Sequence, residues 1–177
     1  WQNFANPANY SLLAVWGSGP SDVWVMGDEN EVLRFTGTQW QPVAVSPYNY
    51  WQGLTGTAPD QVFAVGAGGT MMRWNGTGWA QVNSGAPYGL DGVHGTGAND
   101  VWAVGGRGLI VRWNGSTWSQ VPVATTDWFS SVWAASPNDA WASSYSGDLR
   151  RWNGSSWNVV TTARAEVYRL FGFASND

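Results

Sequence analysis

The side chains that could do chemistry in this chain are few, and most of them recur at a constant interval. Four arginines and three aspartates stand in register: Arg34, Arg73, Arg112 and Arg151, with Asp22, Asp100 and Asp139. Asp60 lies one position early, beside Gln61. A glycosidase needs one pair of carboxylates at a set separation, so a carboxylate in nearly every repeat favours a structural role. We therefore predict that the Arg and Asp residues form hydrogen-bonded pairs within or between repeats.

The remaining reactive groups do not assemble a catalytic or metal site. There is no Cys, and His94 is the only histidine. Nucleophilic catalysis requires a base beside the nucleophile, and a zinc site requires several His or Cys ligands. His94 stands where the first repeat has Trp16, which indicates a structural residue. The acidic run 28–31 offers oxygen atoms to Ca²⁺, but a solvated turn explains it better. We predict no catalytic residue, no metal and no cofactor.

Composition narrows the range of partners. The formal net charge is −4, and all 8 basic residues are arginines. An acidic chain without a basic run lacks the electrostatic surface that nucleic acids and anionic lipids require. No apolar run approaches the roughly 18 residues of a membrane span. We therefore predict neither a nucleic-acid partner nor a membrane span.

Tryptophan gives the strongest pattern, with 15 residues in a chain of 177. One series returns every 39 positions: Trp1, Trp40, Trp79, Trp118 and Trp157. Trp74, Trp113 and Trp152 keep the same interval, preceded in register by Phe35. A fixed period of this length is typical of stacked or circular repeats. The large rings are expected to fill the space between neighbouring units.

Each unit contains four short apolar stretches separated by Gly, Pro, Asn, Asp or Ser, which is the pattern of strands and turns. In the first unit they cover 12–17, 22–27, 31–36 and 40–45; later units begin near 51, 90, 129 and 168. Four short strands in about 40 residues are typical of a β-propeller blade. We therefore predict an all-β fold, a β-propeller of four-stranded antiparallel blades. Residues 1–177 form a single propeller domain or propeller segment.

The repeats make four full blades flanked by orphan terminal strands, at 1–4 and at 168–174. A lone strand leaves an unpaired edge, which natural sheets rarely expose. Three arrangements remain open: a larger propeller with missing blades, which we favour; a homo-oligomeric ring; and irregular packing of the ends on a compact ring of four to five blades. The chain also opens at Trp1 without Met, which we interpret as a mature, excised or engineered segment.

The turn between the third and fourth strands is an Asn-Gly hairpin in three units, at 75–79, 114–118 and 153–157. Asn-Gly is a strong hairpin signal because both residues tolerate positive φ. The stretch 115–118 resembles the second half of the Asp-box hairpin of sialidase-type propellers, with Trp113 in place of its Asp.

Together with 99–105, these hairpins resemble the Trp-rich repeat propellers of bacterial surface and secreted proteins. They are more loosely similar to tachylectin-type and other propeller lectins. The resemblance covers the whole chain. It implies a propeller, an extracellular or cell-surface location in a bacterium, and a lectin-like function.

Alternating strand direction divides the turns between two faces. One face carries the first and third turns of every unit, and these are nearly identical from repeat to repeat. The other face carries the second turns and the links between units, and these differ from repeat to repeat. Residues that differ between repeats are not required by the common fold, so they are better candidates for recognition. Neutral drift in exposed loops is the alternative explanation.

The candidate ligand-binding residues all lie on this variable face: Tyr48, Asn49, Tyr50, Tyr88, Arg107, Asp127 and Trp128. Aromatic rings beside amides and acids suit both sugar stacking and protein hot spots. We predict non-catalytic carbohydrate recognition, in which the four rings stack on a sugar and the three polar residues bond to its hydroxyls. The alternative is a protein-interaction or structural scaffold with no glycan affinity, including a self-assembling or engineered repeat. The predicted partner is therefore a glycan or a protein.

Overall fold

The computed structural model describes residues 5, 7–162 and 165–172. Within them, sixteen strands form four antiparallel sheets of four strands, which we call blades 1 to 4 in chain order. Blade 1 contains β1 (Leu12–Gly19), β2 (Asp22–Gly27), β3 (Val32–Phe35) and β4 (Trp40–Pro42). Blade 2 contains β5 (Trp51–Ala58), β6 (Gln61–Gly66), β7 (Met71–Trp74) and β8 (Trp79–Gln81). Blade 3 contains β9 (Leu90–Gly97), β10 (Asp100–Gly105), β11 (Ile110–Trp113) and β12 (Trp118–Gln120). Blade 4 contains β13 (Phe129–Ser136), β14 (Asp139–Ser144), β15 (Asp148–Trp152) and β16 (Trp157–Thr162).

The blades are arranged around a common axis with their first strands innermost. Strand order in each sheet follows the chain, so consecutive strands pair through short turns. The inner strands contact one another in sequence: β1 with β5, β5 with β9, and β9 with β13. Among the described elements, β13 and β1 make no equivalent contact, so the four blades form an arc. This architecture confirms the predicted all-β propeller. No helix in the described ranges is long and apolar enough to cross a membrane.

The element boundaries follow the repeat closely. In blades 1 to 3 the second turn is a single 3-10 turn, at Asp28–Asn30, Ala67–Gly69 and Gly106–Gly108. In blade 4 this turn is not a 3-10 turn, and β15 begins at Asp148.

The C-terminal segment 165–172 departs from the expectation of a strand at 168–174. Residues 168–172 form no regular strand, because no second strand of their own blade lies beside them among the described residues. The segment nevertheless lies along β13: Leu170 N donates to Ser131 Oγ at 3.0 Å, and Ser130 Oγ donates to Val167 O. Trp1, the predicted strand at 1–4 and residues 173–174 lie outside the described residues.

Aromatic rings fill the interfaces between blades, as the tryptophan interval predicts. Trp24 on β2 contacts Trp74 and Trp79 of blade 2 at ring-centroid distances of 4.9 and 5.3 Å. The same triad recurs twice: Phe63 with Trp113 and Trp118, and Trp102 with Trp152 and Trp157. Trp24, Phe63 and Trp102 are fully buried. One ring of each blade therefore packs against two rings of the next blade, and this contact recurs once in every repeat.

The recurring Arg and Asp residues form the predicted pairs in three of the four blades. Their Nε–Oδ1 distances are 2.8 Å for Arg34–Asp22, 2.7 Å for Arg112–Asp100 and 2.7 Å for Arg151–Asp139. In blade 2 Gln61 occupies the Asp position, and Arg73 forms no ion pair with any described residue. Each of these arginines also lies over an aromatic ring. The pairs therefore join strands within a blade and cover the aromatic core.

His94 lies at the interface between blades 3 and 4. Its Nδ1 accepts a hydrogen bond from Ala134 N at 3.1 Å, and its ring lies 6.3 Å from that of Trp133. Burial lowers the pKa of His94 below its usual value, which keeps the ring neutral and able to accept this bond. His94 therefore has the structural role that the sequence indicates.

Candidate recognition face and axial cavity

The second turns and the links between blades share one end of the molecule, which we call the link face. Asn30 in the second turn of blade 1 fixes the following link, since its N donates to Asn49 O at 3.0 Å and its Nδ2 to Val45 O at 2.8 Å. In blade 3, Gly108 N donates to Asp127 O at 2.6 Å in the same manner. The links are thus anchored to the turns beside them, as the two-face prediction requires.

Tyr48 and Tyr50 form the first of two exposed aromatic groups on this face. Their rings lie 5.9 Å apart at nearly a right angle, and they are 56% and 43% exposed. Both phenols donate to Glu29, with Tyr50 at 3.1 Å from Oε1 and Tyr48 on Oε2. The hydrogen bond to Glu29 raises the pKa of Tyr48. The carboxylate is thus occupied on both oxygens by the two tyrosines.

Asn49 lies between these tyrosines in sequence but points into the molecule. Its side chain is 8% exposed, and Nδ2 donates to Ala67 O at 3.1 Å. Its backbone N donates to Asn30 Oδ1 at 3.3 Å. Asn49 therefore holds the link against blade 2.

Tyr88, Arg107 and Trp128 form the second aromatic group, which we call the Tyr88 cluster. The Arg107 guanidinium lies 5.0 Å from the centre of the Tyr88 ring. Gly106 lies between Tyr88 and Trp128, because a Cβ on this glycine would be 3.4 Å from Tyr88 Cβ and 3.5 Å from Trp128 Cε2. The Trp128 ring is 49% exposed. Asp127 is half-buried beside it.

The structure thus divides the predicted site residues into two groups. Tyr48 and Tyr50 lie beside blade 1, and the Tyr88 cluster lies beside blades 3 and 4. No aromatic contact among the described residues joins the two groups. A single ligand that contacts every predicted residue would have to span the link face.

Asp91 on β9 connects the Tyr88 cluster to the axis. Its Oδ2 accepts hydrogen bonds from Trp128 Nε1 at 2.6 Å and from Tyr145 OH at 3.2 Å. The exposed indole of Trp128 is therefore held in one orientation. Burial raises the pKa of Asp91, opposed in part by these two hydrogen bonds and by the charge of Arg169.

Asp91 also lines a cavity on the propeller axis with a volume of about 270 Å³. All four inner strands and the C-terminal segment contribute to its wall, including Gln52, Val93 and Arg169. Arg169 donates to Ser130 O at 3.2 Å and to Gln52 O at 3.4 Å, so it extends from the blade 4 side to blade 2. The cavity therefore has apolar, amide, anionic and cationic groups on its wall.

Asp91, Tyr145 and Arg169 are absent from the candidates predicted from sequence. The second residue of the inner strand is Leu13, Gln52, Asp91 or Ser130, and Arg169 occupies the same register position. This position differs in every unit, as the links do. The predicted candidates came from comparing only the turns and links between repeats. The same comparison of the inner strands would have identified Asp91 as a candidate.

The comparisons with known proteins identify the fold. No family profile and no curated protein matches the chain. YCF48 bound to D1 peptide matches with a TM-score of 0.72 and 17% identity, over 98% of this chain and 61% of that chain. The WD40 repeats of RRP9 match with a TM-score of 0.74 and 13% identity, over 93% of this chain and 57% of that chain. An ancestral GH74 enzyme matches with a TM-score of 0.67 and 18% identity, over 89% of this chain and 25% of that chain.

At these identities the likeness shows the β-propeller fold and nothing of the activity. This chain also spans less than two thirds of each of those structures.

Proposed function

We propose that this propeller is a non-catalytic scaffold that binds a protein or peptide through its link face. The observation that carries the proposal is the Tyr88 cluster, in which an exposed Tyr, Arg and Trp lie together on loops that differ between blades. These three residue types are the ones enriched in the energetic centres of protein interfaces.

The cluster is also held in place before any partner arrives. Trp128 is fixed through Asp91, and Arg107 is stacked on Tyr88. An ordered side chain loses little conformational freedom on binding, which favours affinity. A propeller of similar fold, YCF48, is known bound to D1 peptide, which supports peptide binding as a use of this architecture.

Carbohydrate binding is the second candidate, and the exposed Tyr48 and Tyr50 rings favour it. The polar groups that would bond to sugar hydroxyls are otherwise engaged, however. Asn49 is buried against Ala67, and both Glu29 oxygens accept tyrosine hydroxyls. Asn49 Nδ2 and the Glu29 carboxylate, which lie nearest to the two rings, are therefore already bonded within the protein, and this favours the peptide proposal.

The test is selection of a displayed linear peptide library on the immobilised chain, followed by affinity measurement on variants. We expect Trp128→Ala to weaken the selected peptides by about tenfold or more, because truncation of an interface centre costs roughly 2 kcal/mol. Val159→Ala, at an exposed position on β16, is the matched control and should bind normally.

A glycan array run on the same variants separates the two candidates. Peptides that bind equally well to Trp128→Ala would contradict the proposed site. A glycan that binds the wild type and is lost in Tyr48→Ala would favour carbohydrate recognition instead.

A further inference from the structure

The carboxylate of Asp91 is the charged group in the described part of the chain whose surroundings best suit a ligand. It is half-buried and lines the axial cavity. Both of its hydrogen bonds, from Trp128 and Tyr145, go to Oδ2. Oδ1 accepts no hydrogen bond from any described residue. One oxygen is thus left to bind something else.

No arginine among the described residues forms an ion pair with this carboxylate. Arg169 is near enough to influence Asp91 electrostatically, but the two form no ion pair in the described ranges. The guanidinium of Arg169 donates instead to backbone carbonyls, and Arg107 stacks on Tyr88. A partly buried carboxylate without a directly bonded cation is costly, and the cost is relieved further when a cation binds to it.

The fold does not require a carboxylate at this position. The equivalent residues of the other inner strands are Leu13, Gln52 and Ser130. The other three blades therefore form the same strand with an apolar or neutral side chain. By contrast, Asp22, Asp100 and Asp139 recur because each is paired with an arginine.

We propose that Asp91, at the mouth of the axial cavity, binds the cationic side chain of an Arg or Lys residue in a peptide partner. The carboxylate supplies a charge-assisted hydrogen bond through Oδ1, while Trp128 and Tyr145 hold Oδ2 in place. The inference rests on the proposed peptide-binding function and specifies the residue that the partner must present.

The experiment compares two small probes of nearly the same size and shape: Nα-acetyl-arginine amide, which carries a guanidinium cation, and Nα-acetyl-citrulline amide, which carries a neutral urea group. Each is titrated into the ¹⁵N-labelled full chain, and the indole Nε1–H signal of Trp128 is followed by NMR. This signal is assigned by its loss in Trp128→Phe. We expect a saturable shift with the arginine probe and binding at least about tenfold weaker with citrulline, as for loss of a charged hydrogen bond.

Asp91→Asn tests the carboxylate itself. An Asn side chain can still accept the hydrogen bonds from Trp128 and Tyr145 through its oxygen, so the geometry is retained while the charge is removed. We expect this variant to lose the preference for arginine over citrulline. Asp28→Asn is the matched control, because it makes the same charge change in the second turn of blade 1, on the same face but away from Trp128, and should keep the preference.

Equal shifts with the two probes on the wild type would overturn the inference, and so would an unchanged preference in Asp91→Asn. If Asp91→Asn does not fold, the comparison of probes on the wild type decides alone. Library peptides that require Trp128 but contain no Arg or Lys would overturn this inference and leave the proposed peptide binding intact. An arginine-selective shift in a chain that selects no peptide would support the cation site and count against peptide binding.

Discussion

At the scale of single residues, recurrence separates structural carboxylates from the candidate functional one. Asp100 is repeated in blades 1 and 4, is buried, and is paired with Arg112 across neighbouring strands. Asp91 occurs once, has no ion-pair partner among the described residues, and faces a cavity. The two side chains are chemically identical, so their position in the repeat and their surroundings decide their roles.

Arg112→Leu is expected to lower the free energy of unfolding by about 2 kcal/mol, because it leaves the buried Asp100 carboxylate without its charged donor. It also removes the hydrogen bond to Pro137 O at 2.8 Å, which joins blade 3 to blade 4. Urea denaturation followed by tryptophan fluorescence measures the loss. Affinity for library peptides, measured below the unfolding transition, should not change.

Arg73→Leu provides the control within the same protein. Arg73 stacks over Phe63 and Trp113 at 5.7 and 5.6 Å but has no carboxylate partner among the described residues. Its replacement should therefore cost less than half as much as that of Arg112. Equal losses in the two variants would show that the ion pair adds nothing to the stacking.

At the scale of the element, the Asn and Gly residues of the third turn stabilise the hairpin in different ways. Gly76, Gly115 and Gly154 have φ of 93°, 100° and 95°, while the Asn before each of them keeps negative φ. Both residues tolerate positive φ, but only the glycine adopts it in these turns. The Asn instead accepts hydrogen bonds: Asn114 Oδ1 receives Ser116 N at 3.0 Å and Thr117 N at 2.9 Å.

Asn114→Ala is expected to destabilise the chain by about 1 kcal/mol, because these backbone donors lose their acceptor in the hairpin. Thr36→Ala in blade 1 is the matched control. Thr36 makes only a 3.5 Å contact to Gln39 O, so its loss should be close to zero. Thermal unfolding of the two variants against the wild type gives the comparison, and an equal effect would contradict the role of the Asn side chain.

The elements were predictable because each is set by local chemistry that the sequence repeats. Strand positions follow from the apolar stretches and the turns between them, and the blade interfaces follow from the spacing of Trp24, Trp74 and Trp79. The site was less predictable, because Asp91 and Trp128 lie far apart in sequence and meet only through the packing of blade 3 against blade 4. The burial of Asn49 was likewise hidden, since it depends on a carbonyl in the next blade.

At the scale of the whole molecule, the arc has two ends that differ from its internal interfaces. Val15 on β1 is 67% exposed, whereas the equivalent residues Leu54, Val93 and Val132 are 8%, 9% and 3% exposed because a preceding blade covers them. At the other end Leu149 is partly exposed, while its equivalents Val32, Met71 and Ile110 are buried by the following blade. The two ends thus resemble the two sides of the contact between neighbouring blades, and the C-terminal segment lies over part of the blade 4 end, where Leu170 and Phe171 share a pocket with Leu149.

We therefore expect copies of this chain to associate end to end, with blade 1 of one copy against blade 4 and the C-terminal segment of another. Val15→Lys should weaken this association by about tenfold, because it places a charge where a Val side chain would be buried. Val159→Lys is the control, since Val159 is 51% exposed on β16. Sedimentation velocity over a wide concentration range measures the effect. A wild-type chain that sediments as a monomer at every concentration would show that the ends of the arc do not recognise each other.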